Sequence, residues 1–296
     1  MIADLLDQIS NAFADRVTAV APCIVGVATR RRPISGILWR PDVVVTSEQM
    51  LPDAAEFAVL CAGAELPARL AGRDPGTNVA VLRLAQPVQA TLPNTAPLPR
   101  VGALVVLVGA DAMGAATGRL AMVHAVGPEW HSQAGGRIEA LLRLDARLGA
   151  DEGGAVLDPA GRLLGMSTAG PRRRTLVIPT GTIARVIDPL LAEGRIARGW
   201  LGVGLQPVAV PDSLRETAGR ESGMMVVSLA SGGPAELAGV LPGDVLLDLD
   251  GTPVRRMRAL AAALGPERIG QRVSLRLLRA GGLQTLALTI APRPAA

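Results

Sequence analysis

Lysine and tyrosine are both missing from this chain of 296 residues, and phenylalanine occurs only twice. The 30 basic residues are therefore all arginines, and with 26 acidic residues they give a net charge of only +4. Because aromatic residues make up 2% of the chain, its cores must be built from valine, leucine, isoleucine and alanine. A fold that depends on large aromatic side chains is excluded.

Arginine is concentrated in two runs, at residues 30–32 and 172–174. Single-stranded nucleic acid is usually held by aromatic side chains beside basic ones, and no aromatic residue accompanies either run. We therefore interpret the runs as exposed loop tips rather than as a contact with an acidic partner. No nucleic-acid partner is predicted.

Long apolar runs and export signals are also missing. No stretch of 18 apolar residues is present, so no membrane span is predicted. The first sixteen residues lack a basic start, a continuous apolar core and a small-residue cleavage site, which favours a cytoplasmic protein. A periplasmic location remains open if the start site is misassigned. Two cysteines, Cys23 and Cys61, do not make a disulfide framework and are expected as buried free thiols.

The apolar pattern of the chain predicts a mainly β protein with two domains. After an amphipathic helix over residues 1–16, the period changes at Cys23 to that of strands. Two runs of about six strands follow, separated by Pro, Gly and Asp turns, and these predict a double β-barrel. A closing helix is expected over residues 182–193, kinked or ended early by Pro189. The length of the chain leaves room for a second, smaller domain.

Four local motifs resemble segments of the HtrA (Deg) family of trypsin-fold proteases. They are TSEQML at 46–51, DPGTNVAVL at 74–82, DARL at 145–148 leading to EGGA at 152–155, and LVIP at 176–179. Their order and spacing match the family over nearly the whole chain. The resemblance implies a trypsin-like double β-barrel over residues 17–193.

At each position that the family uses for catalysis, this sequence has a different residue. The resemblance places Gln49 at the histidine position, Asn78 at the aspartate position and Glu152 at the serine position. A serine protease needs a nucleophile, a base that takes its proton and an acid that stabilises the imidazolium. An amide is not a base, and a carboxylate is a poor acyl nucleophile. We therefore expect no catalytic residues, no cofactor and no metal.

The former oxyanion loop of this resemblance comprises Ala150, Asp151 and Gly153, and the segment from Asp145 to Glu152 is one residue shorter than in the family. Two hypotheses for Glu152 remain open. Its carboxylate fills the former active site and accepts hydrogen bonds from loop backbone N–H groups, Gln49 and Asn78, or it points into solvent. A metal site shared by Glu152 and one of the two histidines, His124 or His131, has no supporting spacing motif.

The C-terminal third resembles the PDZ domain of the same family, with a linker at 194–199 and the domain at 200–293. The motifs are RGWLGV at 198–203, GMMVVS at 223–228, GPAELAG at 233–239, PGDVL at 242–246 and DGTPV at 250–254. A PDZ domain adds a peptide as a strand and captures its terminal carboxylate with backbone N–H groups.

The resemblance assigns carboxylate capture to a loop of four residues, and helical spacing predicts a side-chain pocket on a helix over 256–264. The peptide-binding candidates are Trp200, Leu201, Gly202 and Val203 in the loop and Met257, Leu260 and Leu264 on the helix. The three helix residues alternatively pack only the domain core. Arg255, Arg256 and Arg258 favour peptides with acidic flanks.

The expected function is therefore that of a catalytically inactive HtrA-like scaffold, adaptor or regulatory subunit. Its expected partners are peptides or protein C-termini, and a related active protease is a further candidate. The family commonly forms trimers, so a homotrimer is an additional expectation. The alternatives are an active serine endopeptidase with a non-standard site and a purely structural oligomer.

Overall fold

The structure, a computed structural model, describes residues 2–29, 32–149, 151–170 and 174–294. Five α-helices are found in these residues, and the chain divides into two units. The first unit comprises Met1–Trp130 with Arg137–Ile196, and the second comprises His131–Gly136 with Ala197–Ala296. The predicted boundaries at 193/194 and 199/200 lie close to this division, which falls after Ile196.

Fourteen of the described strands lie between residues 24 and 179. They are β1 Ile24–Val27, β2 Ile34–Arg40, β3 Val43–Ser47, β4 Glu56–Cys61, β5 Ala64–Asp74, β6 Val79–Leu84, β7 Leu104–Ala110, β8 Ala116–Gly127, β9 Trp130–His131, β10 Arg137–Ile138, β11 Leu141–Leu144, β12 Ala155–Leu157, β13 Leu163–Ala169 and β14 Thr175–Pro179. The first six close into a barrel in the order β1-β2-β3-β6-β5-β4, and a second barrel closes in the order β11-β14-β13-β12-β7-β8. The predicted double β-barrel is confirmed.

Local propensity does not favour strand β5, because Pro67 and Gly72 within it are unfavourable in a central strand. Strand β5 pairs with β4 on one side and with β6 on the other, and the hydrogen bonds of these two ladders hold it in the sheet. The register shifts between Leu70 and Gly72, so the bulge accommodates the glycine at a bend of the barrel. Tertiary pairing therefore outweighs local preference here.

Valines and isoleucines from both barrels pack into one shared core, as the shortage of aromatic residues requires. Each barrel also has its own apolar interior. Cys23 and Cys61 are buried and free, as predicted. Burial raises the pKa of both thiols, and the neighbouring Cys61 raises that of Cys23 further.

Two helices frame the barrels. Helix α1, Ile2–Val20, extends beyond the predicted end at residue 16. Its first half leaves Leu5 and Leu6 exposed, whereas Phe13 packs against the shared core. Helix α2, Thr180–Glu193, continues through Pro189 and ends at Gly194, so the predicted early end is wrong. Its apolar face is buried against the barrels, which holds the helix together around the exposed proline.

The second unit is a small α+β domain, which confirms the predicted fold class. Its elements are β15 Gly199–Trp200, β16 Val203–Ala209, α3 Asp212–Ala218, β17 Ser222–Leu229, α4 Pro234–Leu237, β18 Val245–Leu249, β19 Thr252–Pro253, α5 Met257–Ala262, β20 Arg272–Arg279, β21 Gly282–Thr289 and β22 Ala291–Pro292. Six strands form a sheet: five lie in the order β16-β17-β18-β20-β21, and β19 pairs with β18. Strand β15 pairs with β22. Strand β16 is therefore an edge strand.

Within the described part of the chain, no helix has the length and apolar character needed to cross a membrane.

Candidate functional site

The structure brings Gln49, Asn78 and Glu152 together at one place between the two barrels. Strands β3 and β6 pair so that Ser47 lies opposite Val79, and the residues just beyond them therefore meet. Gln49 lies in a single 3-10 turn after β3. Its backbone N–H donates to Asn78 Oδ1 at 2.7 Å. Asn78 has a φ of +57°, a conformation that asparagine tolerates better than most residues.

A tight turn before β6 positions Asn78. The carboxylate of Asp74 accepts hydrogen bonds from the backbone N–H groups of Gly76 and Thr77, at 3.0 and 3.1 Å. The Thr77 hydroxyl donates to the same carboxylate at 2.7 Å. These bonds make an Asx-type turn, in which a side chain replaces a backbone acceptor.

The Glu152 carboxylate lies at the centre of the cluster, and the residue is only 1% exposed. Its Oε1 atom accepts a 2.6 Å hydrogen bond from the Gln49 side-chain amide. The Ser47 hydroxyl donates to the same oxygen at 3.1 Å, and the Ala169 backbone N–H does so at 3.3 Å. The Arg32 guanidinium lies 4.0 Å from Oε2. Glu152 therefore points into the protein and not into solvent.

The amides of Gln49 and Asn78 make further hydrogen bonds within the cluster. The second N–H of the Gln49 amide faces the Ala169 carbonyl, 2.9 Å from Nε2, and the Thr168 hydroxyl lies 3.1 Å from the same nitrogen. The Asn78 amide donates to the Ser47 hydroxyl at 3.1 Å and to the Thr168 hydroxyl. Buried polar groups stabilise a fold only when they are paired in this way. We call Ser47, Gln49, Asn78, Glu152 and Thr168 the Glu152 cluster.

The backbone N–H groups of Glu152 and Gly153 face backbone carbonyls and not the Glu152 carboxylate. The Glu152 N–H faces the Gly149 carbonyl at 3.4 Å, and the Gly153 N–H donates to the Ser167 carbonyl at 2.8 Å. The expectation that these loop groups hold the carboxylate is wrong, because Ala169 on β13 supplies the backbone donor instead. Asp151 accepts a hydrogen bond from the Gly149 N–H at 2.6 Å. Ala150 lies outside the described residues.

Gly153 is required by its surroundings. Its φ is +90°, and a Cβ at this position would lie 2.1 Å from the Ser35 carbonyl oxygen. The glycine after Glu152 therefore keeps the loop in close contact with the first barrel.

Sequence reasoning missed Thr168 and Ala169 as members of this site. Both lie at the end of β13, whose pairing with β14 brings them beside the loop. No local motif indicates that contact, which depends on the closure of the second barrel. His124, considered as an alternative ligand, lies exposed on β8.

In the second unit, the loop proposed to bind the carboxylate of a peptide forms a backbone turn. Gly202 has a φ of +78°, and its carbonyl accepts a hydrogen bond from the Ala230 N–H at 2.8 Å. Leu201 is buried, and its carbonyl accepts from the Ala235 N–H at 2.9 Å. Within the described residues, neither the Leu201 nor the Gly202 N–H donates to a backbone carbonyl. Two donors are therefore left at the start of β16.

The Trp200 ring lies against this loop. A Cβ on Gly202 would lie 3.2 Å from the ring and 3.3 Å from the Gly233 Cα. The indole therefore supports the glycine side of the loop, while Val203 begins the edge strand at its other end.

The three helix candidates lie in different environments. Helix α5 begins at Met257 and ends at Ala262, shorter than the predicted 256–264. Met257 is 50% exposed, whereas Leu260 and Leu264 are buried in the apolar core of the domain. The structure therefore leaves Met257 available to a ligand and gives the two leucines a packing role. Arg255, Arg256 and Arg258 are exposed.

Two family models match the chain. A trypsin-like peptidase domain matches residues 34–166, and a PDZ domain matches residues 199–290. The fold and both sites thus define a trypsin-like peptidase domain followed by a PDZ domain.

Curated relatives with this arrangement include a probable periplasmic serine endoprotease DegP-like of Rhizobium meliloti, 32% identical over 85% of this chain and 51% of the relative. The protein of the same name from Brucella suis is 31% identical over 89% of this chain and 54% of the relative. The chain spans about half the length of these relatives. Its predicted cytoplasmic location finds no support in their names.

Among solved structures, an HtrA-type protease AlgW with a tripeptide is 27% identical, with a TM-score of 0.71, and the match covers 96% of this chain and 98% of that one. The serine endoprotease from Yersinia pestis shares the fold, at 24% identity and a TM-score of 0.71, over 95% of this chain and 98% of that one. The chain belongs to the HtrA family.

Proposed function

We propose that this chain is an HtrA-family protein without proteolytic activity, which binds peptides or protein C-termini through its PDZ groove. The single observation that carries the first half is the Glu152 carboxylate. It is buried and lies 2.6 Å from the Gln49 amide, at the two positions that correspond by resemblance to the nucleophile and the base.

The chemistry of the Glu152 cluster supports inactivity. Gln49 is a donor in this arrangement and has no basic nitrogen with which to accept a proton. Ser47 carries the cluster's buried hydroxyl nearest to the carboxylate, but it is fully buried within β3. A substrate carbonyl therefore has no exposed, activated nucleophile in the cluster to approach.

The edge of the PDZ sheet supports peptide binding. Strand β16 has β17 on one side and no other strand pairs with it among the described residues. At its start, the Leu201 and Gly202 N–H groups donate to no backbone carbonyl among these residues. An extended peptide placed along this edge gains backbone hydrogen bonds, and its carboxylate gains two donors.

The wider role that fits these two properties is that of a scaffold, an adaptor or a regulatory subunit of a related active protease. A homotrimer is part of this proposal, and the exposed Leu5 and Leu6 of α1 are available for contacts between copies. The names of the relatives favour the periplasm. Cell fractionation tests the compartment. Light scattering of the purified chain tests the assembly.

Inactivity is tested with a fluorophosphonate probe and with casein hydrolysis, using an active HtrA protease as the positive control. The expected result is neither labelling nor hydrolysis. Labelling of one serine that disappears when that serine is mutated would instead establish an active endopeptidase.

Peptide binding is tested by screening a library of C-terminal octapeptides against the full chain. We expect binders with an apolar or small last residue, and their binding should require a free carboxylate. A screen without any binder tighter than about 100 μM, equivalent to about 5.5 kcal/mol, would favour the structural-oligomer alternative.

A further inference from the structure

A cavity of about 940 Å³ lies across β4, β5 and β6 of the first barrel. Volumes of about 300–1,000 Å³ are typical of sites that bind small molecules. None of the residues that line this cavity belongs to the Glu152 cluster or to the PDZ groove along β16. The cavity is therefore a separate candidate site, and the registers of the three strands show how it is built.

One outward row of side chains on these strands is long and charged. Side chains of a strand alternate between the interior of the barrel and its outside. Ala68 and Leu84 pair with each other and are buried in the interior, so the next pair, Arg69 and Arg83, points outward. Glu56 lies opposite Arg69 on the other side and completes the row.

The next outward row has only small apolar side chains. Ala58 pairs with Pro67, and the Ala85 N–H donates to the Pro67 carbonyl at 3.0 Å. Ala58 is half-buried, whereas Pro67 and Ala85 are exposed. Beyond this row, Glu65 lies opposite Leu60. The small row is therefore the floor of a trough, and the longer side chains on either side form its two walls.

Strand geometry gives the dimensions of the trough. Neighbouring strands lie about 4.8 Å apart, so a floor that crosses three strands is about 10 Å long. The two walls are separated by four residues of β5, from Glu65 to Arg69, which is about 13 Å at 3.3 Å per residue. A flat molecule of one or two fused rings fits this space.

The first wall of the trough places two positive charges side by side. Arg69 and Arg83 are direct cross-strand partners, and like charges in this arrangement destabilise a sheet. Arg69 lies 3.5 Å from Glu56, but these side chains are 82% and 72% exposed, and such pairs contribute little. Arg83 lies 2.6 Å from Asp42. An anionic group between the two guanidinium groups would relieve their repulsion.

The second wall limits the charge of a ligand. Glu65 is exposed on this wall, and its carboxylate would repel a second anionic group at the far edge of a bound molecule. The trough therefore suits a molecule with one anionic group at one edge and an uncharged, apolar body.

We infer that the trough binds a small aromatic monoanion. Its carboxylate or sulfonate lies between Arg69 and Arg83, and its rings lie on the floor formed by Ala58, Pro67 and Ala85. Arginine pairs with carboxylates through several N–H groups and also stacks on aromatic faces, so both parts of the ligand gain from this wall. The inference does not depend on the proposed peptide-binding function.

Equilibrium dialysis of the full chain against four probes of the same ring size tests the ligand class. The probes are naphthoate, the neutral naphthamide, the cationic naphthylmethylamine and the dianionic naphthalene dicarboxylate. Because the trough is open to solvent on one side, we expect naphthoate to bind with a Kd of about 1 mM or below. The other three probes should bind at least about fivefold more weakly, the effect of about one lost hydrogen bond.

Substitutions locate the binding. Arg69→Gln and Arg83→Gln should each weaken naphthoate binding about fivefold. Ala85→Leu raises the floor of the trough and should weaken it by at least as much. The matched controls are Arg272→Gln and Ala287→Leu, at exposed positions on strands of the second unit, and both should bind naphthoate like the wild type.

No binding of naphthoate by the wild-type chain would overturn the inference. Binding that is unchanged in Ala85→Leu or in both arginine variants would also overturn it, because the probe would then be held elsewhere, for example by the Gly202 loop. Light scattering at rising protein concentration tests a second copy as the occupant. An association of copies that disappears in Arg83→Gln would assign the trough to contacts between copies and would likewise contradict the inference.

Discussion

The Glu152 cluster and the β16 groove differ in what their polar groups bind. In the cluster, the amides of Gln49 and Asn78 and the carboxylate of Glu152 are satisfied by one another and by β13. In the groove, the backbone edge of β16 and the loop N–H groups of Leu201 and Gly202 lack backbone partners among the described residues.

This difference separates internal stability from recognition. A polar network that forms its hydrogen bonds internally around a buried carboxylate stabilises the fold but offers a ligand little, because binding would break existing hydrogen bonds. An open edge supplies unused donors and acceptors at little cost to the fold. Substitutions in the cluster should therefore act on stability, and substitutions in the groove should act on binding.

The largest expected effect is the loss of stability in Glu152→Ala. The change leaves the Gln49 amide and the Ser47 hydroxyl without their shared acceptor and should cost about 2–3 kcal/mol. In a domain of this size, that corresponds to a fall of about 6 °C in Tm. Differential scanning calorimetry measures it.

The controls for this change are Glu152→Gln and Glu65→Ala. The glutamine retains an acceptor oxygen and should lose less stability than the alanine. Glu65 is exposed on β5, so its removal should alter stability by less than about 0.5 kcal/mol. An unchanged Tm in Glu152→Ala would show that the cluster does not stabilise the barrels.

A smaller effect on stability, with a larger one on binding, is expected for Gly202→Ala. The left-handed backbone costs alanine about 1 kcal/mol, and the new Cβ crowds Trp200 and Gly233 at 3.2–3.3 Å. Movement of the loop should weaken binding of the best library peptide at least about tenfold, or 1.4 kcal/mol. Fluorescence polarisation with that peptide provides the measurement.

Gly239→Ala is the matched control for Gly202→Ala. Gly239 has a similar φ of +82°, and a Cβ there would meet no heavy atom within 4 Å. It should share the stability loss and retain peptide binding. Equal loss of binding in both variants would show that the Gly202 loop has no special role in peptide binding.

The smallest effect concerns acid stability of the second unit. Burial alone would raise the pKa of Asp244, but hydrogen bonds from Arg279 and the Leu241 N–H, with the guanidinium charge, hold it below its usual value of 3.8. The unfolded chain therefore takes up the proton first as pH falls. The stabilisation is complete above pH 3.8 and is lost as pH falls through the folded pKa.

Urea midpoints of the wild type and Asp244→Asn between pH 7 and pH 2 test this sign. The wild type should be the more stable at pH 7, and the difference should narrow as the solution becomes more acidic. A difference that widens below pH 3.8 would contradict the lowered pKa.

The strand period of the sequence predicts the double barrel, and the resemblance to the HtrA family implies the second domain and the meeting of Gln49, Asn78 and Glu152. Prediction from the sequence failed where pairing or packing between residues that are distant in the chain determines the structure. Strand β5 forms despite Pro67 and Gly72 because both of its neighbours pair with it. Helix α2 continues past Pro189 because its opposite face is buried.

The partners of Glu152 show the same limit within the site. Thr168 and Ala169 lie sixteen and seventeen residues beyond Glu152 and reach it only when the second barrel closes.

The most direct test of the central claim is casein hydrolysis by Glu152→Ser, with an active HtrA protease measured in parallel. If catalytic chemistry is absent at all three positions, as we propose, a serine at 152 would still face the Gln49 amide and find no base. We expect no hydrolysis above the buffer blank. Substantial hydrolysis from that single change would contradict it, because it would show that a working base remains in the cleft.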